Sequence, residues 1–132
     1  MIIHSFCNLI VWQKSSDLVE AVYELVSHFP QSELYELSAQ MRRSAVSIPS
    51  NIAEGRRKKT RKDYCNFLQI AYGSGGELEA QIILAKRLPF GKGLDYAKVD
   101  DLLNQVMRML NKMLCSLRQP AKANKLISQS AD

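Results

Sequence analysis

Apolar residues recur at helical spacing in four stretches of this chain, and turn residues separate those stretches from one another. The first stretch runs over about residues 9–28, and Phe29-Pro30 ends it because the residue before a proline avoids the helical region. The second runs over about residues 33–54, with Ser32 in the position of an N-cap. Both stretches predict amphipathic helices with one apolar face.

The third and fourth stretches have the same helical period. The third opens at Thr60, a predicted N-cap with Asp63 in the first turn, and ends near Leu88 before Pro89. The fourth covers about residues 95–118 and has the most regular apolar stripe. No stretch alternates strictly enough to predict a strand. The pattern therefore predicts an all-α protein, an antiparallel up-down-up-down four-helix bundle over residues 1–118, followed by a polar, disordered C-terminal tail over 119–132.

Proline and glycine interrupt the second helical pattern. Pro49 lies inside it and predicts a bend, with Ser47, Ser50 and Asn51 placed to satisfy the freed backbone groups. Gly55 is the predicted C-cap of this helix, because glycine tolerates the left-handed conformation that often ends a helix.

A glycine cluster, Gly73-Ser74-Gly75-Gly76, interrupts the third pattern. A phosphate-binding P-loop is excluded, because the cluster lacks the lysine and the preceding strand which that motif requires. We expect a helix kept narrow for close packing of a neighbour, and a true loop is the alternative. Interior glycines cost roughly 1 kcal/mol each relative to alanine, so packing has to compensate for them.

The composition is that of an ordinary soluble domain, with 46% hydrophobic and 23% charged residues among 132. A net charge of +5 favours acidic partners, with nucleic acid first among them. Three cysteines stand far apart, which predicts free thiols in a reducing cytoplasm rather than a disulfide framework. We find no signal peptide and no apolar stretch as long as a membrane span, so we expect a cytoplasmic protein without membrane association.

A cluster of cations marks the junction between the second and third predicted helices. Six of the seven residues from 56 to 62 are basic, and only Glu54 and Asp63 offset them locally. The predicted nucleic-acid-binding residues are Arg56, Arg57, Lys58, Lys59, Arg61 and Lys62. Such a cluster can neutralise phosphates and release their counterions, whereas the alternative is a solvated junction that only aids solubility. No aromatic residue interleaves with it, which favours phosphate-dominated binding with little sequence specificity.

A second charged group lies along the predicted helices themselves. Arg42, Arg43 and Glu54 are on the second helix, and Glu77 is on the third. We interpret these four residues as forming interhelix ion pairs or subunit contacts, with a phosphate site at the two arginines as the alternative.

The titratable residues do not suggest catalysis. His4 and His28 have no nucleophile and carboxylate arranged nearby as triad partners. Glu77 and Glu79 are two residues apart, so they point to different sides of a helix, and the Glu-x-x-His spacing of di-iron bundles is missing. The sequence therefore predicts no enzymatic activity, no cofactor and no metal site.

Three segments together carry a resemblance to a known family. They are the opening run Leu9-Ile-Val-Trp-Gln-Lys, the run from Gln40 to Gly55 containing Ser-Ile-Pro-Ser-Asn-Ile-Ala-Glu-Gly, and Phe67-Leu-Gln-Ile-Ala-Tyr-Gly-Ser followed by Glu77-Leu-Glu. Over about residues 9–118 the chain resembles the 23S rRNA intervening-sequence proteins, also called S23-type four-helix bundle proteins. Gly75-Gly76 departs from the bulkier residues that this family more usually carries there.

The resemblance implies an antiparallel four-helix bundle that assembles as a ring-like homopentamer. Members are encoded in intervening sequences of bacterial 23S rRNA genes or elsewhere in bacterial genomes. A related branch contains the accessory proteins of diversity-generating retroelements, which are basic pentamers that bind nucleic acid and a reverse transcriptase. We therefore expect a homopentamer whose basic junction binds RNA or DNA, structured RNA above all. The alternative is a protein-interaction scaffold, with an acidic protein as partner.

Overall fold

A computed structural model describes residues 5–118, and it consists of helices and their connections throughout that range. His4 and the predicted tail over residues 119–132 lie outside the described part. Four α-helices follow one another, with short 3-10 turns before the first and the second. The helices are α1 (Ile10–Val26), α2 (Leu37–Arg56), α3 (Arg61–Arg87) and α4 (Ala97–Arg118). The prediction of an all-α fold is confirmed.

The four helices form a closed bundle in chain order. α2 packs against α1 and most extensively against α3, and α4 packs against both α3 and α1. Because short connections join these neighbours, they run antiparallel, as the up-down-up-down prediction requires. The bundle has two ends. The junction end contains the α2–α3 connection, the start of α1 and the end of α4; the loop end contains the α1–α2 and α3–α4 connections.

The apolar stripes predicted from the sequence face one another inside the bundle. Each helix contributes side chains that are essentially inaccessible to solvent, which removes their apolar surface from water and stabilises the fold. The fully buried large residues include Leu18, Val22, Met41, Ile48, Ile52, Leu68, Leu78, Val106 and Leu110.

Several helix boundaries differ from the prediction. α1 ends at Val26, because the chain turns there to bury Phe29, whose ring packs edge-on against Phe90 with the centroids 5.0 Å apart. α2 begins only at Leu37, since residues 31–33 form a 3-10 turn, so Ser32 does not cap α2. α4 begins at Ala97, whose N–H donates to Asp95 Oδ1 at 3.0 Å.

Pro49 lies inside α2, as predicted. It cannot donate to the carbonyl four residues earlier. The neighbouring polar side chains bond the next two carbonyls instead: Ser50 Oγ donates to Val46 O at 2.8 Å, and Asn51 Nδ2 donates to Ser47 O at 2.8 Å. These bonds reinforce the turn around the proline without replacing the lost one.

Gly55 does not cap α2, contrary to the prediction. It lies within the helix and is buried, and a Cβ added to it would be 2.8 Å from Phe67 Cβ. The residue therefore serves the close approach of α2 to α3, and the helix continues to Arg56 with Arg57 after it in a right-handed conformation.

The glycine cluster of α3 is helical, so the loop alternative is wrong. Gly75 is buried, and a Cβ there would collide with Met107 Sδ of α4, which confirms close packing at this position. Gly73 and Gly76 are exposed, and an added Cβ would meet nothing within 4 Å among the described residues. The close-packing prediction is therefore wrong for these two glycines within the chain.

Candidate nucleic-acid interface

The basic cluster occupies the tight turn between α2 and α3. Lys58 N–H donates to Gly55 O at 3.0 Å, which closes the end of α2. Thr60 Oγ1 accepts the N–H of Asp63 at 3.2 Å, which confirms Thr60 as the N-cap of α3. The backbone bonds and the cap fix the turn, which gives the six cations defined positions at the junction end.

Lys58 and Arg57 are held against side chains of the protein. Lys58 Nζ pairs with Glu54 Oε1 at 3.1 Å and lies 5.1 Å from the centroid of the Phe67 ring. The Arg57 guanidinium lies over the Phe6 ring, 5.6 Å from its centroid. Cation–π attraction and the ion pair both stabilise these positions. The sequence pattern missed the aromatic contacts, because Phe6 and Phe67 are outside the basic run.

Arg56 is directed towards the interior of the junction. Its side chain is half-buried, and its Nε atom is buried without a hydrogen-bond partner among residues 5–118. Burial raises the pKa of the neighbouring Tyr64; the Arg56 guanidinium opposes this shift and the Cys65 thiol adds to it. Tyr64 therefore stays neutral at physiological pH, and Arg56 lies closer to the helix interface than to the outer surface.

Lys59 and Lys62 present the unpaired charge of the junction. Both are exposed, and neither forms an ion pair within the described residues. Arg61 is half-buried next to them. The negative end of the α2 dipole and the positive end of the α3 dipole meet at this junction and oppose each other, so the positive potential comes from the side-chain charges. The arrangement can attract and neutralise phosphate groups.

The second charged group divides into two parts. Arg42 Nη2 donates to Leu34 O at 3.0 Å and so ties α2 to the connection before it. Glu54 pairs with Lys58 on its own helix. Within residues 5–118, neither Arg42 nor Glu54 forms the interhelix ion pair that we predicted, and a role for them at a subunit contact stays a prediction.

Arg43 and Glu77 line one polar groove of about 410 Å³ between α2 and α3. They do not form an ion pair with each other or with any other residue of the described part. On the same groove, the Ser47 and Ser74 hydroxyls are 2.7 Å apart and join the two helices. Gln81 Oε1 is buried there without a hydrogen-bond partner among residues 5–118. The sequence indicated the charged pair but gave no signal for Gln81 or the hydroxyl pair.

Two features are absent from the described residues, a membrane-spanning helix and a cluster of metal ligands. None of the helices in residues 5–118 is long and apolar enough to span a bilayer. In the same range, no group of three or more His, Cys, Asp and Glu side chains is placed to hold a metal ion.

Comparison with known proteins identifies relatives of the chain. A family model described as 23S rRNA-intervening sequence protein matches residues 7–112. A crystal structure of a protein of unknown function from the S23 ribosomal protein family of Bacteroides thetaiotaomicron VPI-5482 superposes with a TM-score of 0.66 and 22% sequence identity, over 80% of this chain and 98% of that one. At that identity, the likeness shows a shared fold. No curated protein matches the chain.

Proposed function

The chain belongs to the 23S rRNA-intervening sequence protein family, and from this premise we propose that it is a non-enzymatic, RNA-binding four-helix bundle. It assembles as a homopentamer and binds the phosphates of structured RNA at the α2–α3 junction with low sequence specificity. The observation that carries this proposal is the exposure of Lys59 and Lys62, without ion pairs in the described part, at the end where the other cations converge.

Phosphate recognition follows from the kind of groups at the junction. Lysine and arginine neutralise phosphates and release condensed counterions, so affinity falls linearly with salt on logarithmic scales. Reading bases in single strands requires stacking platforms. Phe6 and Phe67, the rings beside the junction, carry the cations of Arg57 and Lys58. The binding energy therefore comes from charge, which gives little discrimination between sequences.

The polar groove between α2 and α3 supports assembly through that face. Arg43 and Glu77 lack ion-pair partners within residues 5–118, and the buried Gln81 oxygen lacks a donor there. A buried acceptor without a hydrogen bond costs about 1–3 kcal/mol, so a second copy that supplies donors would be favoured. Five copies in one ring would also present five junctions to one RNA, and effective concentration would strengthen weak contacts.

The test is binding of the purified wild type to a structured RNA and to a DNA duplex across a salt series. The double variant Lys59→Glu/Lys62→Glu removes the exposed junction charge, and Lys92→Glu/Lys98→Glu makes the same charge change at the loop end. We expect wild-type affinity to fall steeply with salt and the junction variant to lose affinity on the order of tenfold or more. Equal losses in both variants would show a nonspecific effect of net charge, and absence of wild-type binding at low salt would refute the proposal.

A protein-interaction scaffold is the second candidate, and one observation favours it. The α2–α3 groove offers unpaired charges of both signs, and Tyr35 is 86% exposed on the connection leading into α2. Tyrosine and arginine are enriched in protein interfaces. If the wild type binds neither nucleic acid, an acidic protein partner becomes the preferred explanation of the basic junction.

A further inference from the structure

We propose that the phosphate-binding surface continues from the junction along the outer face of α4, through Arg118, Lys112 and Arg108, and that it follows the backbone of a double-helical nucleic acid along the side of the bundle. This inference rests on the proposed function, because it extends the same kind of contact. It adds three residues of α4 to the surface and names a double helix as the partner.

The first link is the position of the end of α4. α4 runs antiparallel to α3, so Arg118 lies at the junction end, and its Nη2 donates to Gln69 Oε1 of α3. Gln69 follows Lys62 by seven residues on α3. Seven residues are about two helical turns, or roughly 10 Å, so Gln69 and Lys62 share one face of the helix. Arg118 is therefore the next cation along the bundle after Lys62.

The second observation concerns the two cations that precede Arg118 on the exposed face of α4. Lys112 and Arg108 are both exposed, and neither forms an ion pair within residues 5–118. Arg118 follows Arg108 by ten residues, which is a rise of about 15 Å along the helix axis. The distance from Lys62 to Gln69 and the distance from Arg118 to Arg108 add up to roughly 25 Å. The cations therefore extend over about this length along the side of the bundle.

The third link is the separation of charge along α4. Residues 102–118 contain no Asp or Glu, and neither do residues 64–76 of α3. The acidic residues of α4 lie near its start, where Asp100 pairs with Lys86 of α3 at 2.7 Å and Asp101 accepts from Gln105 at 2.9 Å. The positive potential of the junction therefore continues along these two stretches, up to the point where Glu79 of α3 lines a groove with Asn104 and Met107 of α4.

The surface of α3 next to α4 leaves room for the phosphate backbone of a nucleic acid. Gly75 packs on Met107, which places this part of α3 beside the stretch of α4 that contains Arg108 and Lys112. The exposed Gly73 and Gly76 have nothing within 4 Å of an added Cβ, so a phosphate can come close to the backbone of α3 at these two positions. Exposed amides on both helices offer neutral hydrogen bonds to phosphate or sugar oxygens. These amides are Asn66, Gln69, Asn104 and Asn111.

A double helix fits this surface better than a single strand. Single-strand binders combine cations with aromatic rings on which successive bases stack. The strongly exposed aromatic residues of the described part are Tyr23 and Tyr35, on α1 and on the α1–α2 connection. A duplex needs no such platform, because its phosphates are on the outside at regular spacing.

The experiment neutralises the α4 cations and leaves the junction intact. Arg108→Gln/Lys112→Gln is compared with wild type, with the junction variant Lys59→Gln/Lys62→Gln, and with the loop-end control Lys92→Gln/Lys98→Gln. Binding to an RNA hairpin is measured against salt concentration. We expect the α4 variant to lose affinity on the order of tenfold and its log–log salt slope to fall by roughly 2, as for two lost phosphate contacts, while the loop-end control matches wild type. Arg108→Lys keeps the charge and should keep the affinity.

The outcomes separate this inference from the proposed function. If the α4 variant matches wild type in affinity and slope while the junction variant weakens, the extended surface is wrong and the junction proposal stands. If an unstructured RNA of the same length binds as tightly as the hairpin, the double helix is not the partner. If the wild type binds no nucleic acid, both proposals fail together. Circular dichroism of each variant checks that the fold is retained.

Discussion

At the scale of residues, identical glycines serve different purposes according to their neighbours. Gly55 lies where α2 and α3 approach each other and Gly75 lies against Met107, whereas Gly73 has free space around its Cα. The sequence shows a glycine in a helical pattern at all three positions. It does not show which atoms of a neighbouring helix lie next to each glycine. Those atoms decide whether the methyl group of an alanine fits at that position.

Gly55→Ala and Gly73→Ala should therefore have opposite effects on the free energy of unfolding. At Gly55 the new Cβ meets Phe67 Cβ, an atom next to the backbone, so the helices must separate at a cost of about 1–3 kcal/mol. At Gly73 alanine favours the helix by roughly 1 kcal/mol. Urea denaturation of both variants measures the two changes. A stabilised Gly55→Ala protein would contradict the tight packing of α2 on α3.

Tyr64 gives the protein a dependence on alkaline pH. Burial raises its pKa above the ordinary value of 10.0, so the folded state holds the phenolic proton more tightly than the unfolded state does. The stabilisation is complete below pH 10 and is lost as the pH rises through the folded pKa. In Tyr64→Phe the free energy of unfolding should fall less steeply above pH 10 than in the wild type.

The measurement is a series of urea denaturation curves at increasing alkaline pH. Tyr96 also has a raised pKa, from burial first and Asp100 second, so part of the alkaline loss persists in the Tyr64 variant. Parallel curves for wild type and Tyr64→Phe would show that Tyr64 releases its proton equally easily in both states.

At the scale of elements, the N-cap of α3 has a direct energetic test. Thr60 Oγ1 accepts the Asp63 N–H that would otherwise lack an intrahelical partner. Thr60→Ala should lower the free energy of unfolding by about 1 kcal/mol. Thr60→Ser should retain most of the stability that the cap contributes, because serine caps as well as threonine. Thermal unfolding with calorimetry compares the three proteins. If the free energy of unfolding of Thr60→Ala equals that of the wild type, water replaces the capping hydrogen bond without loss of stability.

Helix interiors followed the sequence more closely than helix ends did. The apolar period placed Leu18, Met41, Leu68 and Leu110 in the core. The starts of α2 and α4 and the end of α1 moved by two to four residues. At the α1 end, the turn that buries Phe29 against Phe90 outweighs the gain from one more helical residue. Such packing choices depend on a distant residue, which a local pattern does not contain.

At the scale of the whole molecule, the α2–α3 groove makes a prediction about assembly. If Arg43 and Glu77 pair between subunits, Arg43→Glu and Glu77→Arg each place like charges together and should reduce the assembly to smaller species. The combined swap Arg43→Glu/Glu77→Arg restores opposite charges and should recover the original size. Light scattering after size-exclusion chromatography measures the mass of each variant.

Two results would count against this account of assembly. A monomeric wild type would rule out the homopentamer under the conditions used. Single variants with the wild-type mass would place the subunit contact on another surface. Glu54 is a less informative position for this test, because it already pairs with Lys58 on its own helix.

The sequence by itself determined the four helices, their inward faces, the Thr60 cap and the presence of a dense basic run, because each of these depends on residues that are close in the chain. The tertiary structure decided which charges are available. It set Lys58 against Glu54 and Phe67, left Lys59 and Lys62 exposed, and brought Arg43 to the same groove as Glu77. It also placed Arg118, at the end of α4, beside Gln69 of α3. The physical reason is that burial and pairing depend on distances between atoms, and helix packing brings together residues that are far apart in the chain.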